Sequence, residues 1–219
     1  MSTPFTHTVE GSGAAKDFSF SGRTNIGGEV APGAGQPLII ALHGGTYSSE
    51  YFDIPGHSLL DNAAKQGIPV IAVDRPNYIG SSALTSDGSI IADNAGILGD
   101  AIGSIWQEHG GDASGVVLVA HSIGGAVATI IAATPQSWPL LGLATSGCLV
   151  RVPRESAGAW AALPDIPMIE LPVPLKDQLM FGPPGNLRRC HAGGQLPLEH
   201  PGTESRAARH HRRLARATR

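Results

Sequence analysis

Residues 116–126 read VVLVAHSIGGA: an apolar run that ends at a serine between small residues and resumes as a helix-like run. A serine at the point of a sharp strand-to-helix turn can act as a nucleophile, because the turn holds its hydroxyl clear of the sheet. Such a turn tolerates only small side chains two residues before and two after, here Ala120 and Gly124, with Gly125 where helix and sheet come close. The backbone N–H of Ile123 then lies at a helix N-terminus, where developing negative charge is favoured. The competing reading is a chance serine at the end of a buried strand.

A second run, PLIIAL at 37–42, leads straight into His43-Gly44-Gly45 and the polar stretch Thr46-Tyr47-Ser48-Ser49. Glycines just past a strand let backbone approach a bound group, and the N–H of Gly45 can join that of Ile123 in holding an oxyanion. Taken alone, the Gly-Gly pair is equally an ordinary turn. A third run, IPVIAV at 68–73, ends in Asp74-Arg75-Pro76-Asn77-Tyr78-Ile79-Gly80-Ser81.

With these three segments in order, LHGG, DRPNYIGSS and VAHSIGG, the chain resembles the α/β-hydrolase superfamily over roughly its first two-thirds. The resemblance implies Ser122 as nucleophile, Ile123 and Gly45 as backbone oxyanion donors, and a carboxylic ester or related acyl substrate opened through an acyl-enzyme. It implies no cofactor and no metal. The serine argues against dehalogenase or epoxide hydrolase chemistry, where a carboxylate takes that position. It does not separate esterase, acyltransferase, thioesterase or C–C bond hydrolase. Ala120 stands where the pattern has its first elbow glycine, and Asn77 and Ile79 replace glycines of the middle loop. Asn tolerates a left-handed backbone; Ile does not, so the loop is expected to differ locally at Ile79.

The elements that would position these residues alternate between strand and helix. A helix is expected over 58–66, closed by Gly67, and another over 91–108, where Ile91, Ala95, Leu98, Ile102, Ile105 and Trp106 recur at helical spacing. The elbow strand covers 116–120, a helix 124–133 stops before Pro135, and LLGLA at 140–144 reads as a further strand. The fold class is α/β: a mostly parallel sheet with helices on both faces, incomplete at the C-terminus. His43, Asp74 and Ser122 all fall at carboxyl ends of strands, where such sheets bind ligands.

A chain of 219 residues with 42% hydrophobic residues can bury a core. No apolar run has the length of a membrane span, and the N-terminus carries no signal pattern, so a cytoplasmic protein is expected. Cys148 and Cys190 suggest no disulfide framework.

Three stretches differ in character: a hydrolase core over 1–149, a proline-rich segment over 150–186, and a basic tail over 187–219 expected to be disordered. Prolines 153, 164, 167, 172, 174, 183 and 184 exclude continuous central strands from the middle stretch. It reads either as a cap offering Trp160, Met168, Leu171, Leu179, Met180 and Phe181 as apolar walls, or as a surface excursion. The tail carries eight arginines against Glu199 and Glu204, a net +6, whereas residues 1–186 carry −9. It reads as an anion- or nucleic-acid-binding tail, as a solvated tail, or as unrelated sequence in place of the last strands. The third is favoured, because a reading-frame change in a GC-rich gene yields such a composition.

The acid and base that would activate Ser122 are unassigned. His43 and Asp74 read as structural, and His121 points away from its neighbour. Asp177 with His200 satisfies the order Ser, acid, His, but nothing positions either. His191, His210 and His211 lie in sequence without recognisable scaffold, and the His210–His211 pair lacks a third metal ligand. An inactive remnant lacking acid and base, or a protein acting through its basic tail, are the other functions left open; the oligomeric state is not read.

Overall fold

The computed structural model describes residues 2–148 and the single positions Arg154, Gly158 and Ala162. The chain divides into two units, Met1–Val152 and Pro153–Arg219. The first holds six strands: β1 (Thr3–Thr8), β2 (Ser19–Thr24), β3 (Pro37–Leu42), β4 (Val70–Val73), β5 (Gly115–His121) and β6 (Leu140–Ser146). Its helices are α1 (Leu59–Ala64), α2 (Ile90–His109) and α3 (Ile123–Ala133), with a 3-10 turn at Ser49–Phe52. In the second unit, the Ala162 amide donates to the Gly158 carbonyl at 3.0 Å. The remainder of segments 150–186 and 187–219, with the cap residues, Cys190, Asp177 and the late histidines, lies outside the described residues.

The strands form one sheet in the order β1-β2-β4-β3-β5-β6. β4, β3, β5 and β6 run parallel, while β2 is antiparallel to both β1 and β4. Strand alternation explains the two-sided core. Leu38, Ile40 and Leu42 of β3 and Ile71 and Val73 of β4 pack with Leu98, Ile102 and Ile105 of α2 and Val127 and Ile131 of α3. Ala41, Val70 and Ala72 face the other way, onto Phe52, Leu60 and Ala63. The sheet is therefore covered on both faces, as its apolar strands require.

Local chemistry sets the element ends. Ser58 and Ser89 are the N-caps of α1 and α2, accepting from the amides of Asp61 and Ala92. Past α1, the amides of Gly67 and Ile68 return to the carbonyls of Ala64 and Ala63, with Gly67 at φ 70°. That double return is the Schellman pattern, and it calls for glycine at this place. β4 begins two residues later than the apolar run suggests. Pro69 has no amide for a ladder, and the Asn25 side chain claims the Ile68 carbonyl.

Two features depart from the sequence reading. β1 and β2 were not foreseen: Phe5 and His7 alternate inward on β1, but two short polar strands joined through Gly11 and Gly13 give little pattern. The second departure corrects the reading of Ile79, which does adopt a left-handed backbone, at φ 49°, next to Asn77 at φ 71°. Its side chain is 80% exposed and meets nothing that opposes it. The loop is pinned on either side, by Tyr78 N–H to the Arg75 carbonyl, Gly80 N–H to Ser21 Oγ and Ser81 Oγ–H to the Asp74 carbonyl.

Candidate active site

Ser122 sits between β5 and α3 at φ 51° and ψ −119°, a backbone state that L-residues avoid. The packing just after it is tight. A Cβ on Gly124 would stand 2.3 Å from the Leu42 carbonyl oxygen and 2.4 Å from that of His43, so α3 starts in contact with the end of β3. A Cβ on Gly125 would come within 2.9 Å of Cys148 Cβ. Ser122 differs from the other capping serines in one respect. Ser48, Ser58 and Ser89 each accept a backbone N–H, whereas Ser122 makes no side-chain cap bond. Its own amide donates to the Ser146 carbonyl at 2.9 Å, tying the elbow to β6. The next amide along, at the N-terminus of α3, is that of Ile123.

The loop after β3 passes directly over this serine. A Cβ on Gly44 would lie 3.1 Å from Ser122 Cβ, and one on Gly45 would lie 2.8 Å from Ile123 Cδ1. Two buried side chains fix how the peptides of this loop face. His43 is fully buried; its Nδ1 lies 2.8 Å from the Gly44 carbonyl and its Nε2 accepts the Arg75 amide at 3.0 Å. An Nε2 that accepts leaves the proton on Nδ1, which therefore donates to Gly44. Burial is the main reason that His43 is held neutral, its pKa lowered to about 4.

Arg75 is also buried. Its Nε donates to the His43 carbonyl and its Nη2 to the Gly44 carbonyl, both at 3.0 Å, and the guanidinium lies 4.7 Å from the Tyr78 ring centre. In a trans peptide the C=O and the following N–H point opposite ways. With the Gly44 carbonyl turned onto Arg75 and His43, the Gly45 N–H faces away from them.

Asp74 braces the same region: one oxygen accepts the Ser49 amide at 2.6 Å, the other the Ser21 hydroxyl at 2.7 Å. His121 Nδ1 pairs with Ser146 Oγ at 3.1 Å, and its ring stacks on Tyr51 at 4.6 Å between centres. The rings of His43 and His121 are thus engaged away from Ser122. Beside this loop, Thr46, Tyr47, Tyr51, Ile54, Tyr78 and Ile79 line an open cavity of about 660 Å³. Sequence reasoning missed both Arg75 and the Tyr47–Tyr51 wall. An arginine inside a polar loop carries no sign that it will be buried, and the tyrosines come together only because Tyr51 lies in the 3-10 turn that follows Tyr47.

The structure brings His43, Gly44, Gly45, Asp74, Ser122 and Ile123 to the carboxyl ends of β3, β4 and β5, as the ordered motifs lead one to expect. Among the described residues no helix is long and apolar enough to cross a membrane.

Comparison with known proteins supplies the family. None of the curated proteins matches the chain. Among solved structures it is similar to an enantioselective mutant of epoxide hydrolase from Aspergillus niger, with 17% identity and a TM-score of 0.50, over 69% of this chain and 36% of that one. It is also similar to a predicted CIB-like hydrolase from Thermoplasma acidophilum, with 16% identity and a TM-score of 0.50, over 68% of this chain and 64% of that one. The chain thus spans less than two thirds of the length of either, and likeness at this identity concerns the fold. The alpha/beta hydrolase family model matches residues 39–218, which includes all three motifs and runs on through the arginine-rich segment. The chain belongs to the alpha/beta hydrolase family.

Proposed function

We propose that the protein is a serine hydrolase acting on a small carboxylic ester or related acyl substrate. The observation that carries this reading is the strained backbone of Ser122, whose hydroxyl is, among the described residues, the one capping-position serine side chain that does not serve its helix. In the proposed reaction Ser122 Oγ attacks the acyl carbon and a base takes its proton. The carbonyl oxygen gains the negative charge between the amides of Ile123 and Gly45, and the alcohol leaves with a proton. Water then attacks the acyl-enzyme and restores the serine. Two features support Gly45 as the second donor: its N–H faces away from Arg75 and His43, and it lies against Ile123. The acid and base are not assigned among the described residues.

The test needs no knowledge of the substrate. A fluorophosphonate probe should label wild-type protein and leave Ser122→Ala unlabelled, and wild type should hydrolyse a short-chain chromogenic ester at least about 100-fold faster than the variant. Labelling or hydrolysis that survives in Ser122→Ala would overturn the mechanism. A second reading, a binding protein that keeps the elbow without a base, is favoured by the engagement of the His43 and His121 rings elsewhere. Wild-type protein that is folded and resists the probe would support it.

A further inference from the structure

A cluster unrelated to Ser122 lies where β1 meets the last turn of α2. His7 is buried, with Nδ1 3.2 Å from Glu108 Oε2 and Nε2 2.9 Å from Ser104 Oγ. His109 Nε2 is 3.4 Å from Glu108 Oε1. That nitrogen is buried yet makes no hydrogen bond among the described residues, which is costly for an imidazole unless something else engages it. Ligand atoms from the three residues all fall within 4.8 Å of one another.

These separations have a meaning in coordination chemistry. A tetrahedral ion with bonds of about 2.0–2.1 Å to imidazole nitrogen and carboxylate oxygen sets its ligands about 3.3–3.4 Å apart. His7 and His109 approach the two different oxygens of Glu108 at 3.2 and 3.4 Å, and one ligand atom from each of the three residues falls within 4.8 Å of the others, so drawing the set to tetrahedral spacing needs movements of at most about 1.5 Å. Ser104 supplies the outer contact that metal-bound histidines use. With Nε2–H donating to Ser104 Oγ, the Nδ1 lone pair of His7 is left for the ion. Phe5 packs against both rings, at 6.3 Å from His7 and 5.4 Å from His109 between centres, and forms an apolar wall. The Glu108 side chain is 62% exposed and offers the way in.

We propose that His7, Glu108 and His109 form a binding site for a divalent cation of the zinc class, with water as fourth ligand. The ion clips β1 to the C-terminal turn of α2, closing a chain segment of about a hundred residues. β1 is four places from β5 in the sheet, so at about 4.8 Å per strand the site lies roughly 19 Å from the elbow strand. It is structural and takes no part in chemistry at Ser122.

The test uses the full chain stripped by a chelator and titrated with Zn2+ and Co2+. Wild type should bind Zn2+ at this site, show the intense visible bands of four-coordinate Co2+, and gain thermal stability on Zn2+ addition. Glu108→Gln and His109→Ala, both in the last, accessible turn of α2, should each weaken Zn2+ binding at least tenfold and abolish the stability gain. Ser104→Ala should weaken it about tenfold through loss of the outer contact. The proposal is overturned if wild type shows no saturable Zn2+ binding. It is equally overturned if affinity and stability gain are unchanged in Glu108→Gln and His109→Ala, which would place the ion on other histidines of the chain.

Discussion

Acid should unfold this protein through His43, and the size of the effect can be worked out. The ring is fully buried, its Nδ1–H held by the Gly44 carbonyl and its Nε2 accepting from the Arg75 amide. A proton on Nε2 would break the second bond and set a cation beside the Arg75 guanidinium. The pKa is accordingly lowered from 6.5 to about 4, chiefly by burial. A histidine with a lowered folded pKa binds its proton more tightly when unfolded. The stability it contributes is complete above pH 6.5 and is lost as pH falls towards 4.

From these two values the loss relative to pH 7 is about 1 kcal/mol at pH 5.5 and about 2 kcal/mol at pH 4.5. The assay is urea unfolding from pH 7 to 4.5 for wild type and His43→Gln, which does not titrate there. His43→Gln should be less stable at pH 7 by about 1–3 kcal/mol, for imperfectly met hydrogen bonds. Its pH dependence should be shallower than that of wild type by the figures above. His7, also lowered mainly by burial, titrates in both proteins and cancels from the difference. Parallel curves would refute the reasoning. Should the variant not fold, an NMR titration of the His43 ring in wild type decides the matter, and a midpoint near 6.5 would refute it.

Gly124→Ala should destabilise the protein by about 1–3 kcal/mol and lower esterase turnover, because the added carbon collides with two backbone carbonyls that cannot swing away; urea midpoints and turnover check it. Ser122→Gly should raise stability by about 1 kcal/mol, since glycine relieves the backbone at φ 51°, while it removes the proposed nucleophile; a lower urea midpoint than wild type would contradict the strain. Arg75→Lys should cost about 2–3 kcal/mol, because a single ammonium cannot serve the His43 and Gly44 carbonyls as the guanidinium fork does. It should also slow acylation in single-turnover measurements.

What the sequence made legible was the parallel centre of the fold. Strands buried on both faces, such as PLIIAL, need uninterrupted apolar residues, and a serine on a forced turn needs small neighbours; both demands show in a linear string. β1 and β2 lay hidden because these short strands, at the edge and next to it, each fully bury only two residues among polar ones, so THTV and FSFS read like loop. Ile79 misled for a related reason. Its type disfavours a left-handed backbone, but three surrounding hydrogen bonds and an open surface outweigh a penalty of about 1–2 kcal/mol. The His7–Glu108–His109 cluster was out of reach altogether, since His7 lies about a hundred residues from the adjacent Glu108 and His109 and meets them only through the fold.

Burial of an arginine and a histidine behind a glycine loop is expensive, and the direction of one peptide explains why the arrangement is useful. An oxyanion donor must already point at the place where charge appears, because turning it during the reaction would spend the gain. Ile123 has its direction from the start of α3. Gly45 has no helix behind it, and a glycine peptide turns more readily than most. The Gly44 carbonyl is therefore held twice, by Arg75 Nη2 and by His43 Nδ1, in a place closed to water. Turning the peptide over would leave buried groups unpaired at a cost on the order of 3 kcal/mol, enough to keep it facing one way more than 99% of the time. In the proposed reaction, stability and catalysis thus rest on the same buried pair. Acid that protonates His43 in the folded protein should release the loop, so the proposed esterase activity should fall with a midpoint near pH 4, below the range from pH 6.5 downward over which stability declines.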